Sequence, residues 1–153
     1  MHQATRSNSI LTLVQFGFGR GPDRLYVRLD GDRPLADLLA DGYAFSLDFL
    51  QPPGVRFAVR MVGGRVVGTF SERATEGAGW TERGSGGASV AAGTILEAAL
   101  PLAELAPEAD ARVVVFFVVV STSDQTEIET HPEHHPIEAT RPDDQFEARH
   151  WTA

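Results

Sequence analysis

FAVRMVGGRVVGTF, residues 57–70, decides how the rest of the chain is read. Side chains alternate on both sides of Gly63-Gly64, and a two-residue primed turn demands positive φ at its two central positions, which glycine adopts without steric cost. The stretch therefore predicts a β-hairpin, with strands over Arg56 to Val62 and Arg65 to Phe70.

Working outward, the same short β-rich runs recur between Gly, Pro and Asp punctuation. They predict strands over Leu11 to Phe18, Leu25 to Leu29, Ala44 to Leu50, Gly93 to Leu100, Val113 to Ser121, Thr126 to Thr130 and Gln145 to Trp151. VVVFFVVV, residues 113–120, is apolar at every position, so both of its faces need cover, as in a central sheet strand that also meets a loop or partner. SERATEGAGWTERGSGGASVAAG, residues 71–93, is glycine-rich and poor in apolar residues, which predicts a long loop or a ragged edge hairpin. Helix has little room. LAEL at residues 102–105, between Pro101 and Pro107, is expected to be the one short helical turn. The expected architecture is all-β: one antiparallel β-sandwich of immunoglobulin-like or jelly-roll type over residues 1–153.

Composition sets the functional bounds. The 153 residues are 42% hydrophobic and 22% charged, a globular balance that supports one core. Twenty-one acids outweigh 13 basic residues for a net charge of −8, and no Lys/Arg cluster stands out, which argues against a nucleic-acid partner. The chain has no cysteine, so any metal would need His or carboxylate ligands. No signal-peptide pattern is read at the N-terminus, and the longest apolar run is about ten residues short of a membrane-spanning helix. A cytoplasmic protein without membrane contact is expected.

IETHPEHHPIEA, residues 128–139, is the densest cluster of potential ligands. Pro132 and Pro136 prevent the helical spacing used by zinc-binding histidines, and adjacent His134 and His135 would point to opposite sides of an extended chain. The plain reading is a solvated loop between two strands. GFGRG, residues 17–21, follows a strand but leads into another strand, so the helix N-terminus that would hold a pyrophosphate is missing. No nucleophile-elbow, HExxH or phosphate-loop motif occurs. Asp30 with Asp32 and Asp143 with Asp144 offer paired carboxylates that could serve a glycosidase or bind calcium, yet Asp pairs in turns ordinarily cap their own backbone. Asp30 and Asp32 are kept as candidates for a calcium site.

Trp80 and Trp151 are the only tryptophans. An indole can stack on the apolar face of a pyranose, and Glu82 and Arg83, close to Trp80, could add polar contacts. Trp80, Glu82, Arg83 and Trp151 are thus the candidate ligand-binding residues.

The order of phrases carries a resemblance. FGFGRGPDRLYVRLDG, YAFSLDFLQPPGVRFAVRMV, AAGTILEAALPLAELAP and the stretch from Val113 to Trp151 occur in an order that resembles the C-terminal β-domain of bacterial glycoside hydrolase family 57 enzymes, itself related to family 9 carbohydrate-binding modules and to DOMON-like β-sandwiches. The resemblance spans Leu11 to Trp151, with residues 71–92 poorly matched. It rests most on LYVRLD at 25–30, ILEAALPLAEL at 95–105, E-x-x-P-x-x-x-P-I from Glu129 to Ile137, and F-x-x-x-x-W ending at Trp151. It implies a non-catalytic accessory domain, cut from a larger carbohydrate-active enzyme, that binds a glucan and in some relatives calcium. The rival expectation is a structural or oligomerisation domain that packs against a glycosidase catalytic domain.

Overall fold

A computed structural model describes residues 9–18, 24–105 and 113–140. Among these residues the chain is an antiparallel β-sandwich of eleven strands and two short helices. β1 (Leu11–Phe18), β2 (Arg24–Gly31), β8 (Leu96–Pro101) and β7 (Ser89–Ala92) form the smaller sheet in that order. The larger sheet runs β10 (Glu127–His131), β9 (Val113–Ser121), β3 (Ala44–Gln51), β4 (Val55–Val62), β5 (Arg65–Glu72) and β6 (Thr81–Gly84). β11 (Ile137–Thr140) also pairs with β9.

The hairpin at 57–70 forms as read: β4 and β5 pair from Val55↔Glu72 to Val62↔Arg65, and Gly63 and Gly64 hold φ of 59° and 79°. β9 uses its two faces differently. Val114, Phe116, Val118 and Val120 are buried toward the other sheet, whereas Val113, Val115 and Phe117 on the outer side are only half-buried. An aromatic layer fills the interior. Phe116 meets Phe49 at 5.3 Å and Phe16 edge-on at 6.2 Å, and Phe57 meets Phe70 at 4.8 Å between ring centroids, within the range where aromatic pairs attract.

The expectation of a single helical turn is corrected. LAEL does form a turn, α2 (Leu102–Leu105), but α1 (Leu35–Ala40) precedes it. Leu35, Leu38 and Leu39 recur at helical spacing and all three are buried. Pro34 supplies no side-chain cap, so the carbonyls of Thr94 and Gly93 accept the Leu35 and Ala36 N–H groups. At the other end, the Gly42 and Tyr43 N–H groups donate to Leu39 and Leu38, with Gly42 at φ 102°, which is a Schellman ending. Those signals, the leucine spacing and the glycine after it, lie in PLADLLADG between β2 and β3.

Residues 71–93 begin as the ragged edge hairpin expected, β5 and β6 pairing across a loop at 73–80, but do not end as one. β6 extends the large sheet beside β5 and β7 extends the small sheet beside β8, so the chain changes sheets between Gly84 and Ser89. Gly93 to Ile95 is a bend, and β8 starts at Leu96, later than read, because Gly93 and Thr94 serve α1. The expected strand Gln145–Trp151 lies outside the described residues, while β11 was missed altogether.

β7 closes one side of the sandwich by packing against β5. Gly68 makes this possible, since a Cβ there would sit 2.4 Å from Phe57 Cζ and 2.8 Å from Val90 Cγ2. Gly68→Ala should lower the unfolding free energy by about 1–3 kcal/mol through overpacking. Gly79→Ala, which would place its methyl in open space, should stay within about 0.5 kcal/mol of wild type. Urea midpoints at constant m-value would check both.

Candidate functional site

The outer face of the small sheet holds a broad cleft. β2 alternates strictly, with Leu25, Val27 and Leu29 buried and Tyr26 and Arg28 outward. Strand register then lays out two rows across the sheet. One runs Gln15, Arg28, Glu97, Ala91, and the next runs Gly17, Tyr26, Ala99, Ser89. The cleft over these rows has a volume of about 550 Å³, and every residue lining it comes from β1, β2, β7 or β8. It is therefore a surface trough and not a gap in the core.

Its chemistry is mixed. Tyr26, 38% exposed, stands between a glycine and an alanine on the neighbouring strands, so an aromatic side chain rises from a low floor. Arg28 lies 3.4 Å from the Asp30 carboxylate, with both side chains substantially in water, and faces Glu97 across the strand pair. Such an exposed pair contributes little to stability, which leaves its donors and acceptors open to a ligand. A cleft of this size, with one aromatic group and several convergent polar groups, suits a small or oligomeric polar ligand.

The expected ligand residues are split by the fold. Trp80 precedes β6 and is half-buried, and the guanidinium carbons of Arg56 and Arg73 lie over its ring at 4.2 and 4.5 Å from the centroid. A sugar stacking where they lie would have to displace them. Arg56 is further held by Asp48, with hydrogen bonds of 3.1 and 3.3 Å, and Ser46 donates to the same carboxylate at 2.9 Å. Glu82 is exposed opposite Ser71, on the outer face that also carries Arg56. Arg83 turns toward the opposite side. It bonds Glu104 at 2.7 Å and Glu72 at 3.3 Å, and lies over the buried Phe70 ring at 5.3 Å. Those contacts fasten the chain where it crosses between sheets. Trp151 lies outside the described residues.

Asp30 is engaged by Arg28, while Asp32 sits on an exposed bend where its backbone N–H donates to the Ile10 carbonyl. Among the described residues no three His, Asp or Glu side chains are grouped to hold a metal ion. Asp143 and Asp144 lie outside the description. Asp124 is a turn former: hydrogen bonds from Thr122, and then from Thr126, hold its carboxyl below the usual aspartate range.

The histidine stretch has a structural role that spacing did not disclose. β10 and β11 pair end to end along one side of β9, at Val118–Ser121 and Val113–Phe116, so residues 132–136 are an excursion in a broken edge strand. Prolines are compatible with such an edge. His134 and His135 sit on this outward excursion, but His131 is buried, and its Nε2 lies 2.8 Å from Glu129 Oε1. The Glu129 carboxylate also accepts the backbone N–H groups of Ile10 and Leu11, the latter at 3.2 Å. One carboxylate thus ties the start of the small sheet to the edge of the large one.

Tyr26, Arg28 and Glu97 were missed as site residues. The alternation of LYVRLD marks them as outward, but only the pairing of β2 with β8 brings Glu97 beside Arg28. Compared with known proteins, the chain matches no family model, no curated protein and no solved structure.

Glu129→Ala would leave the Ile10 and Leu11 N–H groups without their acceptor and remove the contact to buried His131, and should destabilise the fold by about 2 kcal/mol. His134→Ala and His135→Ala should each change stability by less than about 0.5 kcal/mol. Chemical denaturation of the three variants would check the contrast.

Proposed function

We propose that this protein is a non-catalytic accessory domain that binds an oligosaccharide, a glucan by preference, in the trough of the small sheet. The carrying observation is Tyr26, an exposed aromatic group on a floor of small side chains, flanked by Gln15, Arg28, Glu97 and Ser89. A pyranose presents an apolar ring face and a rim of hydroxyls. An aromatic side chain can bury the first while amide, carboxylate and guanidinium groups bond the second. The order of sequence phrases resembling the C-terminal domain of glycoside hydrolase family 57 enzymes supports the same reading. Relative to the sequence-based expectation, the ligand surface moves from Trp80 and Arg83, whose side chains are engaged within the fold, to Tyr26.

A second reading, a domain that packs against a glycosidase catalytic domain or a second copy, is favoured by the outer side of β9. Val113, Val115 and Phe117 are only half-buried there, and Leu50 on β3 is 54% exposed. In that case the domain would serve assembly.

Titration calorimetry with α- and β-gluco-oligosaccharides should show saturable binding to one series. Tyr26→Ala should weaken it by tenfold or more, equivalent to ~1.4 kcal/mol. No heat from either series at millimolar sugar, or affinity unchanged in Tyr26→Ala, would turn the assignment toward the assembly role.

A further inference from the structure

Arg73 follows β5 and lies at a place separate from the trough. Its guanidinium lies over the Trp80 ring at 4.5 Å, and among the described residues no acceptor bonds it and no carboxylate pairs with it. Arg56, over the same ring at 4.2 Å, has its charge met by Asp48. Among the described residues Arg24, Arg60 and Arg65 also lack a paired carboxylate, but of these four arginines Arg73 is the one that lies over an aromatic ring.

A cleft of about 280 Å³ opens beside it, lined by Phe49, Leu50, Pro53 and Gly54 on one side and by Arg73 to Glu76 on the other. The two sides are tied together. The Arg73 N–H donates to the Gly54 carbonyl at 3.0 Å, and Gly54, at φ 75°, comes so close that a Cβ would lie 2.5 Å from the Arg73 carbonyl oxygen. The backbone carrying the cation is therefore fixed against the apolar wall.

We propose that this cleft binds a small organic monocarboxylate, of the sugar-acid class, with its carboxylate on Arg73 and its ring against Leu50 and Pro53. A guanidinium held over an indole by cation–π attraction can still offer its N–H fork to a planar two-oxygen anion. The stacking restricts the side chain beforehand, so less freedom is lost when the ligand arrives. Glu76 borders the same cleft. Its negative charge repels a dianion more strongly than a monoanion, so a singly charged ligand is favoured, and the planar fork of Arg73 matches a carboxylate among those. Thr75 also lines the cleft.

The test follows the Arg73 Nε–H and Trp80 indole N–H signals in 1H–15N spectra of the full chain, titrated with D-glucuronate, D-glucose and inorganic phosphate at constant ionic strength. Both signals should shift saturably with glucuronate and stay unmoved by glucose and phosphate. Arg73→Ala should abolish the Trp80 shift, and Arg73→Lys, which keeps the charge without the fork, should weaken binding by about tenfold. Equal shifts from glucose would overturn the anion requirement, and equal shifts from phosphate would overturn the carboxylate preference. Binding retained within twofold in Arg73→Lys would overturn the role of the fork. Tyr26→Ala should leave this titration unchanged, so failure here and failure of the trough are read separately.

Discussion

The aromatic layer between the two sheets is the contact on which everything else rests. Phe45, Phe57, Phe70 and Phe116 are fully buried, and they and their neighbours come from strands on both sides of the hairpin at 57–70. Sheets pack about 10 Å apart when large side chains interdigitate between them. Filling that space with phenylalanine commits the inward positions of every long strand. The outward positions are then free to vary, and the trough and the Trp80 cluster both lie there.

A sandwich of this kind must carry its chain from one sheet to the other, and the open ends of the core must be closed where it does. Here α1 follows β2 and α2 follows β8, each at a change of sheet, and each plugs the core with leucines: Leu35, Leu38 and Leu39 in one, Leu102 and Leu105 in the other. The remaining described crossing, at Gly84 to Ser89, has no helix. Arg83 braces it from one side through Glu72 and Glu104, and Gly86 packs where a Cβ would meet Glu104 and Phe70. Glu129 does comparable work at the opposite edge by holding Ile10, Leu11 and His131 together. Two polar residues that looked like candidates for ligand chemistry are thus fasteners between sheets.

The two surfaces differ in electrostatic character. The trough presents Arg28 beside Asp30 and Glu97, one cation against two carboxylates, a mixed arrangement that suits a polar, uncharged ligand better than an anion. The cleft at Arg73 presents a cation that no carboxylate pairs with among the described residues, with Glu76 at its border. Because exposed pairs are weak, the first can exchange partners cheaply, whereas the stacked cation of the second is fixed before any ligand arrives.

Alternation and turn chemistry alone determined the all-β class, the 57–70 hairpin, the full extent of β1 and β9, and the LAEL turn, because these depend on neighbours within a few residues. The helix at Leu35–Ala40 was legible too, through its leucine spacing and the glycine after it, but a six-residue helix between strands gives a weak periodic signal. Only the tertiary structure decided which strands meet. The splitting of 71–93 between two sheets, the end-to-end pairing of β10 and β11 with β9, the row from Gln15 to Ala91, and the capture of Trp80 by Arg56 and Arg73 all join residues far apart in sequence. No local periodicity encodes such pairings, since they are set by which inward faces fill the shared core.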